Sequence, residues 1–210
     1  MPQPSTQALR CGATILGALA AIALSAPATA QIGSSTYRAI LDDINGSGAS
    51  GTATLSLSGR SLRVRIQATG LGTGGAHLGH VHGLTNDNGR ATASRCPTAA
   101  QDTDGDGFLE LLEGVPVYGP ILIDMMNIDP DGDGNVDFTT TVQLSGNEDV
   151  IPLNKRHVVV HGQTVPAGPG AGTAGEVDGT AGFKVILPNL CGSIRAVAAG
   201  SDPLEFREPR

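Results

Sequence analysis

The sequence predicts an all-β protein, an antiparallel sandwich or barrel with long loops. Three observations carry that expectation. Thirty glycines and 13 prolines in 210 residues make the chain rich in turns. Aromatic residues are only 3% and Trp is absent, while hydrophobic residues reach 40%, so Val, Ile, Leu and Ala must fill the core. Finally, short apolar segments, several of them alternating, recur between turn signals, which is the pattern of a sandwich or barrel.

The elements follow in order. Segment 52–57 (TATLSL) alternates, and 61–67 (SLRVRIQ) does so more cleanly, with Leu62, Val64 and Ile66 on one side and Arg63, Arg65 and Gln67 on the other. Ser58-Gly59-Arg60 joins them as a tight hairpin. A glycine-rich loop, 70–76, leads into His-Leu-Gly-His-Val-His-Gly at 77–83, and a polar stretch follows to 101. After an Asp-Gly cluster, Phe108 to Gly114 suggests one or two helical turns. Strands are expected at 115–123, 136–144, 157–161, 183–187 and 190–197, with a turn at 129–135 and a second glycine-rich loop at 162–182.

Residues 1–30 read as an export signal. Arg10 precedes the apolar run 11–25, and Ala28-Thr29-Ala30 has the small-residue cleavage pattern. The run is too short for a membrane span, so the mature chain is taken as 31–210, periplasmic or secreted, with 31–200 as one β domain and 201–210 as a loose polar tail. Export leaves Cys96 and Cys191, and an even pair in an oxidising compartment is most simply a disulfide. On the chain-entropy model such a loop closure contributes about 4–5 kcal/mol. A metal-thiolate pair is the weaker alternative, because no C-x-x-C spacing is present. The net charge of −7 argues against nucleic acid as a partner.

All five histidines fall in two clusters, His77, His80 and His82, then His157 and His161. Residues two apart in a strand share a face, so His80 and His82 present two imidazoles side by side. If His161 lies on a neighbouring strand, a three-imidazole metal site forms. His157 stands roughly 13 Å from His161 along a straight strand and is either structural or a pendant ligand. The bland alternative is a set of polar residues on a half-exposed strand.

These residues resemble the Cu,Zn superoxide dismutases. That family carries H-G-F-H-V-H where this chain has His77-Leu78-Gly79-His80-Val81-His82, and G-R-x-x-V-V-H where it has Lys155-Arg156-His157-Val158-Val159-Val160-His161. Leu190-Cys191-Gly192-Ser193-Ile194 is similar to the family's terminal A-C-G-V-I, whose cysteine pairs with one in the loop after the first histidines, here Cys96. The stretch from Ser50 to Leu71 also resembles bacterial CHRD-domain proteins. The resemblance implies a Greek-key β-sandwich, copper on His80, His82 and His161, and a structural His77. It also implies departures. Asp102 stands where the dismutases have the histidine that bridges copper and zinc, the later zinc histidines are missing, and Pro188 replaces the arginine that guides superoxide. A zinc subsite is therefore not expected. For three imidazoles, the Irving–Williams order favours copper, with zinc as the alternative.

A second metal motif is independent of the first. Asp102-Thr103-Asp104-Gly105-Asp106-Gly107-Phe108-Leu109-Glu110-Leu111-Leu112-Glu113 fits a twelve-residue EF-hand loop. It offers Asp102, Asp104, Asp106, the Phe108 carbonyl, Glu110 and a bidentate Glu113 to calcium. Its expected role is to staple a long loop. Asp129 to Asp137 begins the same way but has Thr140 in the last ligand position, so a hairpin turn is expected first and a degenerate calcium loop second.

The functions compatible with these features are a metal-binding protein, a copper-only superoxide dismutase-like enzyme, and an extracellular interaction module without a transition metal. No G-x-S-x-G elbow or phosphate-loop lysine points to another class.

Overall fold

In the computed structural model, residues 34–198 are described apart from 130, 146–148 and 173–174. The export signal at 1–30 and the tail at 201–210 lie outside the described residues. The fold is antiparallel β. Among the described residues, its strands are β1 (Ser35–Asp43), β2 (Ser50–Ser58), β3 (Ser61–Thr69), β4 (Leu78–His82), β5 (Leu84–Thr85), β6 (Ala91–Thr92), β7 (Ile121–Asn127), β8 (Val136–Gln143), β9 (His157–Val165), β10 (Gly182–Ser193) and β11 (Arg195–Ala196), with one α-helix, α1 (Leu111–Tyr118).

The main strands run in the order β7-β4-β9-β10-β1-β2-β3-β8. Two halves are joined where the end of β1 crosses to β10, at Asp42↔Cys191 and Asp43↔Leu190. The core lies between the halves. Leu55, Val64 and Ile66 from β2 and β3 meet Val81, Val158 and Val160 from β4 and β9, all fully buried. The alternation expected in β3 is observed, with Leu62, Val64 and Ile66 inside and Arg63, Arg65 and Gln67 outside. Ser58 pairs with Ser61 across a two-residue turn at Gly59-Arg60, as the hairpin signal predicts.

Four expectations need correction. Residues 115–118 are helical rather than extended, because α1 runs from Leu111 through Pro116 to Tyr118. The strand 157–161 continues to Val165, since Gln163 and Thr164 pair with Lys184 and Phe183. The segments 183–187 and 190–197 merge into one strand, β10, with irregular register between Lys184 and Leu190, followed by the short β11. The turn at 129–135 is not a hairpin. β7 pairs with β4 and β8 with β3, so the segment crosses between the two ends of the strand path. β1 was not expected, although Ala39 and Leu41 alternate inward along it.

The disulfide is present. Cys96 and Cys191 are bonded, at a sequence separation of 95. It ties the loop leading to α1 onto β10, and Tyr118, Val159 and Cys191 form a small apolar cluster there. The face of β9 that points away from the core is therefore covered rather than open to water.

Candidate metal centre

Val81 points into the core, so His80 and His82 point the other way, as the two-residue period of a strand requires. The same rule turns Val158 and Val160 inward and His157, Val159 and His161 outward. β4 and β9 are neighbours, with Leu78 opposite His161, His80 opposite Val159 and His82 opposite His157. Two short sequence patterns thus meet on one face beneath α1.

The three rings converge. Ring centroids lie 4.8 Å apart for His80 and His161, 5.5 Å for His80 and His82, and 5.8 Å for His82 and His161. One ring nitrogen from each lies within 4.8 Å of the others. All three residues are buried, at 6% exposure for His80 and 1% for His82 and His161.

Each ring is anchored through one nitrogen and free at the other. His82 Nδ1 faces the Gly119 carbonyl at 2.8 Å, His161 Nδ1 faces the Ile186 carbonyl at 2.7 Å, and His80 Nε2 faces the Asp124 carboxylate at 3.3 Å. The remaining nitrogens, His80 Nδ1, His82 Nε2 and His161 Nε2, are buried without any hydrogen-bond partner. A neutral imidazole carries one N–H and one lone pair. Acceptors on the anchored nitrogens hold the proton there and leave three lone pairs on the free ones, which is how ligating histidines are oriented. Burial pushes His82 down to about 4 and His161 to about 3, and it lowers His80 against the pull of Asp124. The rings therefore keep their lone pairs at neutral pH. Three buried orphan nitrogens are costly unless something binds them, so the donor set fits a nitrogen-loving metal ion.

Local structure explains the anchors. α1 ends at Gly119, whose φ of 89° is one that L side chains avoid and where a side chain would strike the Gly83 backbone. That close approach delivers its carbonyl to His82. Tyr118, fully buried, packs edge-on against His82 at 4.6 Å between centroids and donates to the Leu111 carbonyl. In β10, Pro188 stands opposite His161 within the irregular stretch, where the Ile186 carbonyl meets the His161 ring instead of a strand partner. Asp124, Gly119 and Ile186 were not foreseen. Only Asp124 left a signal, as a lone acid in the apolar run of β7.

The other two histidines do not join. His157 is held between two hydroxyls, Ser94 Oγ at 2.8 Å and Ser193 Oγ at 2.9 Å, which occupy both ring nitrogens. His77 is fully buried, with Nδ1 3.2 Å from the His161 carbonyl and Nε2 2.8 Å from the Gly72 carbonyl. Both are structural, and His77 braces the backbone of His161.

The first acidic loop gathers only part of its expected set. Asp102, Asp104 and Asp106 come together, and Asp106 Oδ2 is buried without a partner. Burial, then Asp104, Asp102 and Glu113, push the Asp106 carboxyl up. Asp102 accepts from the Gly105 and Gly107 amides, which folds the loop around its own carboxylate. Glu113 accepts from Thr103 and from the Glu110 amide at the start of α1. Glu110 turns away to accept from the Val177 amide. A helix does follow the loop, as in an EF-hand.

Neither a known family model nor a curated protein matches this chain.

Proposed function

We propose that the protein is an exported metal-binding β-sandwich protein that holds copper on His80, His82 and His161, with calcium as a structural ion in the 102–113 loop. The single observation behind this is the set of three buried, unpartnered imidazole nitrogens, each with its opposite nitrogen anchored. Imidazole donors suit copper, and the Irving–Williams order places it above zinc. Bound copper would supply one-electron chemistry; the chain's own residues fix the ring tautomers, exclude water from two of the three rings, and carry Asp124 at the rim. Support for a periplasmic or secreted location comes from the disulfide and the N-terminal pattern.

A second reading, a copper-only enzyme of the superoxide dismutase kind, is favoured by one feature. Of the three rings His80 lies nearest solvent, at 6% exposure and beside Asp124, whose side chain is 51% exposed, although the nitrogens left for a metal are all buried. The negative Asp124 and the loss of the guiding arginine at Pro188 oppose attraction of an anionic substrate.

The test is metal analysis after copper and zinc are offered in equal amounts, beside a His80→Ala/His82→Ala variant. One equivalent of copper retained by the wild type and lost by the variant supports the proposal. Stoichiometric zinc would overturn copper. No transition metal in either would leave the interaction module. Superoxide removal by the copper-loaded protein then separates enzyme from binder.

A further inference from the structure

We infer that the crossover loop Asp129–Asp137 holds a second hard divalent cation, of the calcium kind, on the carboxylates of Asp129, Asp131 and Asp133. These three carboxylates offer oxygens within 4.8 Å of one another. An acidic turn alone would not indicate a ligand, since solvated carboxylates cluster freely. Asp129 is not solvated. It is 1% exposed, and its Oδ1 is buried with no hydrogen-bond partner. A buried carboxylate oxygen left bare is unfavourable unless a cation or donor meets it.

The obvious internal partner does not serve that oxygen. His77 Nε2 lies 3.9 Å from the other oxygen, Oδ2, and is already 2.8 Å from the Gly72 carbonyl. Oδ2 also accepts from the Gly134 amide at 3.0 Å. All the offered side-chain donors are oxygens, which selects a hard ion over copper or zinc.

The rest of the loop resembles an incomplete EF-hand. Asp137, in the ninth position, is engaged by Arg65 at 2.7 and 2.8 Å, and Thr140 stands in the twelfth. Three carboxylates and the Asn135 carbonyl at position seven remain, with water to complete the shell. Such a reduced set belongs with weak extracellular sites, at Kd on the order of 0.1–1 mM. The ion would clip the two ends of the strand path. Gly134 accepts from the Leu71 amide, and the Ile128 amide donates to the His77 carbonyl, so the loop is fastened to the segment that leads into β4.

Calcium titration by calorimetry, to about ten times the weakest expected Kd, tests this. To keep it separate from the 102–113 loop, the parent carries Asp104→Asn/Asp106→Asn. The expected result is one calcium bound by this folded parent and none after adding Asp131→Asn/Asp133→Asn. Both of those residues are exposed, so their replacement spares the core. In the wild-type background the same pair should lower the stoichiometry by one, a second measurement independent of the parent's folding. A parent that is folded by circular dichroism yet binds no calcium overturns the inference. So does binding that survives Asp131→Asn/Asp133→Asn.

Discussion

His80 and Asp124 face each other across the β4–β7 pair, with Nε2 3.3 Å from Oδ1. The carboxylate holds the ring so that Nδ1, the buried and partnerless nitrogen, points toward His82 and His161. Removing this support should weaken metal binding without removing a ligand. Asp124→Ala is expected to lower copper affinity by about 10–100-fold while leaving one equivalent bound at saturation. Competition with a chelator of known affinity measures it, and unchanged affinity would mean that Asp124 does not orient the ring.

The pH dependence of the metal-free protein follows from the buried rings. Burial, then Arg195, holds His157 down at about 4, against an ordinary value of about 6.5. Below that ordinary value the unfolded chain binds the proton first. The contribution is therefore fully present above about pH 6.5 and is lost as pH falls toward the folded value. Raised carboxyls such as Glu110 and Glu176 act in the opposite sense, favouring the folded state as pH falls. His157→Gln isolates the histidine. It should flatten the slope of unfolding free energy against pH by about 1.4 kcal/mol per pH unit across that window. Denaturant titrations from neutral pH to about pH 4 check it, and parallel slopes for the two proteins would refute it.

Among the described residues, Arg156 is the largest fully buried side chain. It donates to the carbonyls of Val150, Leu84 and Asp149, joining the start of β9 to the strands and loops beside it. Gly83 is required beside it, because any Cβ there would run into the guanidinium. Arg156→Ala removes the donor to three carbonyls, the buried one of Val150 among them, and leaves a cavity; it is expected to destabilise by about 3–5 kcal/mol. A loss below about 1 kcal/mol in chemical denaturation would show that water replaces the guanidinium freely.

Loss of the disulfide should reach the metal centre indirectly. Cys96 tethers the loop that carries Ser94 and leads on to α1, whose end supplies the Gly119 carbonyl to His82. Cys96→Ala/Cys191→Ala is expected to cost about 2–5 kcal/mol. Copper affinity should fall alongside. Stability lost with affinity intact would uncouple the two.

The two-residue period makes much of this legible in the sequence. Leu62, Val64 and Ile66 point inward as their alternation requires, and His80 and His82 share a face for the same reason. Joining His161 to them needed the β4–β9 pairing, a long-range contact that no local pattern encodes; only the family resemblance suggested it. The helix was obscured by Val115-Pro116-Val117, which reads as extended because proline and valine disfavour helix interiors. The carbonyls of Gly119 and Ile186 left no trace, since every residue has one and only tertiary geometry decides which reaches a ring. The loop at 129–135 has the sequence pattern of a hairpin because strands flank it, yet their partners lie in opposite halves of the fold.

The most direct test of the central claim is the electron paramagnetic resonance spectrum of the protein loaded with one equivalent of copper(II). Three anchored imidazoles should produce nitrogen hyperfine structure, with coupling from three rings. His161→Ala should reduce that to two. A spectrum of loosely held copper with oxygen ligands only, or one that His80→Ala, His82→Ala and His161→Ala all leave unchanged, would contradict the assignment of these three residues as the metal centre.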